Sequence, residues 1–113
     1  MRVDGKIDYV EFPGVDMAPL KAFYSRAFGW TFEDFGPDYQ AFDQGLEGGF
    51  VTDATARPKA PLVVLYAHDL EDMLEKVTTA GGEITLPIFS FPGGRRFHFA
   101  DPSGNELAVW TVA

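Results

Sequence analysis

Hydrophobic positions along the chain fall into two helical stripes, each preceded by one short alternating run and followed by three. The run Lys6–Phe12, "KIDYVEF", is rich in β-branched and aromatic residues and stops at Pro13-Gly14, which predicts a strand. A helix is expected next: Met17, Leu20, Phe23, Tyr24, Ala27 and Phe28 recur at helical spacing. Asp16 stands at the N-cap, Pro19 falls in the first turn and Gly29 closes the stripe. Short strands are expected over Trp30–Phe35, Tyr39–Asp43 and Leu46–Thr52, divided by Gly-Pro-Asp and Gln-Gly turn signals.

The same order then returns. Asp53–Pro61, "DATARPKAP", is polar, small and proline-bearing, and reads as a linker between two modules of one 113-residue domain, about 6–52 and 62–112. Leu62–Ala67 predicts a strand. Asp69 caps a second stripe of Leu70, Met73, Leu74, Val77 and Ala80, which Gly81-Gly82 closes, and strands are expected over Glu83–Leu86, Arg95–Ala100 and Glu106–Thr111. Aligning Asp16 with Asp69 brings Gly29 to within one residue of Gly81, so the chain reads as two βαβββ modules in tandem. Each module has one helix to cover one sheet face and must use the other face against a neighbour or a ligand.

Charge and composition narrow the function. The formal charge of −8 opposes phosphate backbones and anionic membrane surfaces, so neither nucleic acid nor membrane is an expected partner. No cysteine is present, which excludes disulfides, thiolate metal sites and cysteine nucleophiles. With no apolar leader at its start and no run of about 18 apolar residues, the chain is expected in the cytoplasm. No phosphate-binding glycine loop or serine-nucleophile elbow is present. Gly48-Gly49 interrupts a strand and predicts a bulge or a close backbone approach, and Gly93-Gly94 is read as a mobile lid.

The segments "FYSRAFGW" (Phe23–Trp30), "AGGEI" after the second helix and "FADPSGNELAVW" (Phe99–Trp110) resemble the vicinal oxygen chelate superfamily of glyoxalases, bleomycin and fosfomycin resistance proteins and extradiol dioxygenases. The likeness runs from about Lys6 to Val112 and looks closest to the short members related to lactoylglutathione lyase. It implies an α+β fold in which paired βαβββ modules form a cup-shaped eight-stranded sheet. It also implies a homodimer that takes a small organic molecule, which in the metal-dependent members chelates a divalent cation held by His and Glu.

At the positions matching those ligands the chain has other residues. Tyr9 stands where the first-strand His is usual, Leu62 at the second His, and Ala108 seven residues after Asp101, where the last-strand glutamate belongs. No cofactor is therefore expected. A divalent metal would require a relocated site drawn from His68, His98 and Glu106, the last about 6–7 Å along the strand from Ala108.

Alternation in Arg95–Ala100 sets Arg96 and His98 on one face and Phe97 and Phe99 on the other. Either pair could face the cup. By resemblance to the fosfomycin-resistance members, the residue three before the Asp of the DP turn, His98, contacts the ligand. Arg96 beside it would suit an anionic or carbonyl-bearing molecule and favour a neutral imidazole. Tyr9 and Glu11 share a face of the first strand. His98 and Glu11 are thus the candidate proton-transfer groups, and Tyr9, Arg96, Leu62, Ala108 and Trp110 the candidate ligand contacts. Phe23 and Trp30 are assigned to the helix–sheet core. The expected function is a glyoxalase-related lyase or isomerase; the alternative is a sequestering protein of the bleomycin-resistance type, with a metal-dependent lactoylglutathione lyase or dioxygenase as the special case.

Overall fold

The computed structural model describes residues 2–113. Eight strands of mixed direction and two helices form an α+β fold in the order β1 (Ile7–Pro13), α1 (Met17–Phe28), β2 (Glu33–Asp34), β3 (Tyr39–Asp43), β4 (Glu47–Val51), β5 (Leu62–Tyr66), α2 (Leu70–Thr79), β6 (Glu83–Phe91), β7 (Gly94–Ala100), β8 (Glu106–Val112). The repeat is real at the level of topology. The first module runs β2-β3-β4-β1 across its strands and the second β6-β7-β8-β5, each with its first strand parallel to its last. Two compact units are formed, Tyr9–Leu62 and, in the other, Val63–Ala113 together with the segment ending at Asp8. Among the described residues no helix is long and apolar enough to cross a membrane.

In the unit holding β6–β8, α2 lies against one sheet face. Ala67, Leu70, Phe97 and Val109 are buried there, with Leu65, Met73, Leu74, Val77, Ile84, Ile88 and Phe99 packed around them. Asp69 caps α2 by accepting from the Asp72 N–H at 3.0 Å. The strand register Arg96↔Trp110, Phe97↔Val109, His98↔Ala108 then puts Phe97 and Val109 under the helix and their alternates on the helix-free face.

That register is set by the hairpin end. The Gly104 N–H donates to the Asp101 carbonyl at 2.9 Å, while the Asp101 carboxylate accepts from the N–H of Ser103 and of Asn105 and from the Asn105 side chain. Gly104 takes φ +84°, a conformation that favours glycine.

Four expectations are corrected. The α1 stripe buries no residue, and Phe23 and Phe28 are 57% and 64% exposed, so Phe23 is not core. Tyr24 and Trp30 instead stack at 4.7 Å, and Trp30 leans on Phe42. The strand expected at Trp30–Phe35 shrinks to Glu33–Asp34, because the backbone at Trp30 is consumed by the helix end: its N–H donates to Tyr24 and its carbonyl accepts from Ser25 Oγ. β6 continues past Leu86 to Phe91, with register shifts between Ile84 and Leu86 and between Leu86 and Phe89, the second spanning Pro87, which has no N–H to give the ladder. The Gly93-Gly94 lid is a tight hairpin: Phe91 pairs with Gly94, and a Cβ on buried Gly94 would strike the Thr111 carbonyl.

Phe97→Ala should cost about 3–5 kcal/mol in urea unfolding, while Phe23→Ala should stay within about 0.5 kcal/mol; equal losses would contradict this packing. Asp101 is held below the ordinary carboxylate range, first by the Asn105 side chain and then by the backbone N–H groups around it. Its contribution is therefore complete above the ordinary carboxylate pKa and lost as pH falls through the lowered value. Asp101→Asn should flatten the acid limb of the melting temperature below about pH 4.

Candidate functional site

The helix-free face of the second unit gathers four of the expected residues. Lateral pairing joins Arg96 to Trp110 and His98 to Ala108, and β5 adds Tyr66 beside Trp110 and Val64 beside Ala108. The two arrangements left open by alternation are thereby separated: Phe97 and Phe99 pack toward α2, and Arg96 and His98 take the opposite face.

Arg96 lies over two rings, with its guanidinium carbon 5.4 Å from the centroid of Phe89 and 5.7 Å from that of Phe91. Such stacking fixes the plane of the guanidinium, a group whose edge donors match the geometry of a carboxylate or carbonyl oxygen. His98 is 9% exposed, with Nδ1 3.6 Å from Glu106 Oε2, and its ring sits 5.9 Å from Phe89. Glu106 is half-exposed and also accepts from Thr85 Oγ1 at 3.1 Å.

Trp110 is held from several sides. Its Nε1 donates to Asp8 at 2.9 Å, Arg2 lies 4.9 Å over the ring, and Tyr66 meets it edge-on. Arg2 in turn pairs with Asp8 at 3.2 Å, and residues Gly5 and Lys6 exchange backbone hydrogen bonds with Tyr66. The N-terminal segment is thus tied to β5 and β8, a role that short-range patterning could not reveal.

In the other unit, Tyr9 and Glu11 share the face of β1 turned from the Phe12, Phe42 and Phe50 cluster. Glu11 is 6% exposed and laterally paired with Gly49. The hydroxyls of Tyr9 and Tyr39 are hydrogen-bonded to each other over Gly49. The ladder through Gly48 and Gly49 is unbroken, so the pair marks close approach rather than a bulge: a Cβ on Gly48 would strike Phe42 and the Val10 carbonyl. Tyr39, a strand residue in the sequence pattern, is brought to this face by the pairing of β3 with β4, in which Ala41 lies opposite Gly49.

The superfamily's usual metal positions do not fit a metal here. Leu62, 2% exposed at the start of β5, and Ala108, fully buried, offer no donor atom. The relocated set is not assembled either. His68 lies beyond Tyr66, level with the far end of β8 and about 13 Å along the strand from the His98–Ala108 pair; it is exposed and bound to Asp4 at 2.5 Å. Among the described residues no three His, Asp or Glu side chains converge.

The model of the Glyoxalase/Bleomycin resistance protein/Dioxygenase superfamily matches residues 6–109. The chain belongs to this superfamily. The protein named "Putative glyoxylase CFP32" from Mycobacterium bovis is 26% identical over 120 residues, covering 94% of this chain and 45% of that protein. The anthracycline biosynthesis protein DauV of Streptomyces is 29% identical over 117 residues, covering 84% of this chain and 42% of that protein. The chain thus spans somewhat under half the length of these curated relatives. A solved superfamily member from Vibrio splendidus superposes with a TM-score of 0.70 at 13% identity, covering 94% of this chain and 97% of that one, a likeness of fold.

Asp8→Ala removes both the acceptor of the Trp110 indole and the partner of Arg2. It should cost about 1–2 kcal/mol in urea unfolding and shift the Trp110 fluorescence to longer wavelength in a Trp30→Phe background; an unchanged spectrum would show that the N-terminal segment does not hold the ring.

Proposed function

We propose that this superfamily member binds a small organic molecule bearing a carbonyl or carboxylate group and acts on it by proton transfer, as a lyase or isomerase. The observation that carries the reading is Arg96 stacked on Phe89 and Phe91 beside His98 on the helix-free face of β6–β8. Arg96 binds the anionic or polarised oxygen. His98, mostly enclosed and near Glu106, gives or takes a proton. Trp110, braced by Asp8 and Arg2, forms a flat wall, and Ala108 beside His98 leaves room at the sheet surface. Tyr9 and Glu11 supply a phenol and a carboxylate on the first module's helix-free face. Since Leu62 and Ala108 carry no donor atom, the reading routes no step through a metal at those positions. A homodimer in the cytoplasm is part of the same reading, as expected from the sequence and the family resemblance.

A second reading, a binder that sequesters a flat cation without turnover, draws on the aromatic surface of Phe89, Phe91, Tyr66 and Trp110 and on the net charge of −8.

A thermal-shift screen of carboxylates, ketones and flat cations, followed by a turnover assay on each hit, separates the two. His98→Ala should cut turnover by about 10²–10⁴-fold while binding persists, and Arg96→Lys should weaken binding of carboxylates. Turnover untouched by His98→Ala would overturn the catalytic role, and tight binding of cations with no turnover would favour the sequestering reading.

A further inference from the structure

The Trp110 ring, read above as a wall for the ligand, is covered by the chain's own N-terminal segment. The Arg2 guanidinium carbon lies 4.9 Å from the ring centroid. A flat group stacked on that side would need carbon contacts of about 3.5–4.0 Å, so it and Arg2 exclude each other. Asp8 completes the contact: its Oδ2 accepts from the Trp110 indole at 2.9 Å and pairs with Arg2 Nε at 3.2 Å. The Asp8 side chain is 15% exposed against 40% for Arg2, so the carboxylate is the enclosed partner and the cation the outer one. Other links hold the segment to β5 and the residues after it. The Gly5 N–H donates to the Tyr66 carbonyl, the Tyr66 N–H to the Lys6 carbonyl, and the His68 N–H to the Asp4 carboxylate at 2.8 Å. Arg2 can therefore leave the ring while the backbone behind it stays. Arg96, beside Trp110 in the ladder, lies over Phe89 and Phe91 instead, so the two guanidinium groups stand on different rings.

We infer that the Trp110 face and the Asp8 carboxylate form a subsite for a flat cation, an amidinium or guanidinium carried by a small organic molecule, and that Arg2 fills this subsite until such a ligand displaces it. The inference rests on the reading of Trp110 as a ligand wall and adds to it a charge preference and a competitor within the chain. The geometry of Arg2 defines what the subsite accepts. An aromatic face attracts a cation laid over it, and a carboxylate at the edge of that face takes an N–H from the same cation. A ligand that displaces Arg2 must replace both contacts. A neutral or anionic ring could cover Trp110, but it would leave the enclosed Asp8 carboxylate without a cation, at the cost of an uncompensated charge. An amidinium restores the pair and keeps a planar group on the ring. Because Arg2 and the ligand compete, the apparent affinity is the intrinsic one reduced by the fraction of molecules in which Arg2 has left the ring. The N-terminal segment thereby sets a threshold for occupancy of the Trp110 wall and screens out flat molecules that carry no positive charge.

Benzamidinium is the probe, with benzamide as its neutral counterpart of the same shape, and binding is followed by NMR on the Trp110 indole N–H in a Trp30→Phe background. Benzamidinium should move that resonance and saturate, while benzamide should leave it in place. Arg2→Ala should bind benzamidinium about tenfold more tightly, since the competitor is gone. Arg2→Gln, which keeps most of the side-chain length without the charge, should also bind more tightly than wild type. In the Arg2→Ala background, Asp8→Asn should weaken binding by about tenfold. Circular dichroism and melting temperature check that each variant is folded. Folded Arg2→Ala and Arg2→Gln variants that bind no more tightly than wild type overturn the inference, as does benzamide binding as well as benzamidinium. Binding that survives Asp8→Asn at full strength also overturns it. Carboxylate binding that moves the Trp110 resonance and depends on Arg96, found with no response to benzamidinium, overturns the cation subsite and leaves the proposed function standing. A Trp110 resonance that responds to neither class of ligand removes the wall itself, and with it both readings of Trp110.

Discussion

The Asp101 carboxylate holds the β7–β8 hairpin in one register, and the division of labour between the sheet faces depends on it. Its two oxygens accept from two backbone N–H groups and from the Asn105 amide, closing the turn within five residues. Because side chains alternate with a period of two, a slip of one residue would carry Phe97 and Val109 out from under α2 and force Arg96 and His98 beneath it. Burying an arginine and an imidazole against Leu70 and Met73 costs several kcal/mol without partners. The turn and the helix core thus specify the same register independently.

The two modules share a topology and differ in how they use it. In the second, α2 seals a core around Leu70 and Phe97. In the first, α1 leaves Phe23 and Phe28 exposed, and packing passes to a stack of Tyr24, Trp30, Phe42 and Phe50. Glycine is what permits that stack and the phenol pair on the opposite face: rings lie directly over Gly48 on one side and Gly49 on the other. Any side chain at those positions would hold them off.

Membership of the superfamily identifies the scaffold without transferring its chemistry. Leu62 and Ala108 place methyl groups where metal-dependent members are expected to carry donors, and the polar groups of this chain stand elsewhere: Arg96 and His98 on one module's helix-free face, Glu11 with two tyrosines on the other's. Each face sets a group that can move a proton beside one that can stabilise oxygen charge, and the proposal of proton transfer at a carbonyl rests on that pairing.

Much of this was legible in the residues themselves. Helical spacing and the Asp69 cap located both helices, the repeat of the pattern matched the strand topology, and counting from the Asp101 turn singled out His98 and Ala108, which the structure then pairs. These are local properties, set by side-chain period and by hydrogen bonds that close within a few residues. What the tertiary structure decided was which face each alternating set occupies, since period-2 alternation separates Arg96 from Phe97 without saying which lies under a helix. It also decided the contacts made across long stretches of chain: Asp8 on the Trp110 indole, and Tyr39 meeting Tyr9 over Gly49. Such meetings depend on strand order and on space left by a missing side chain, and no spacing along the sequence encodes either.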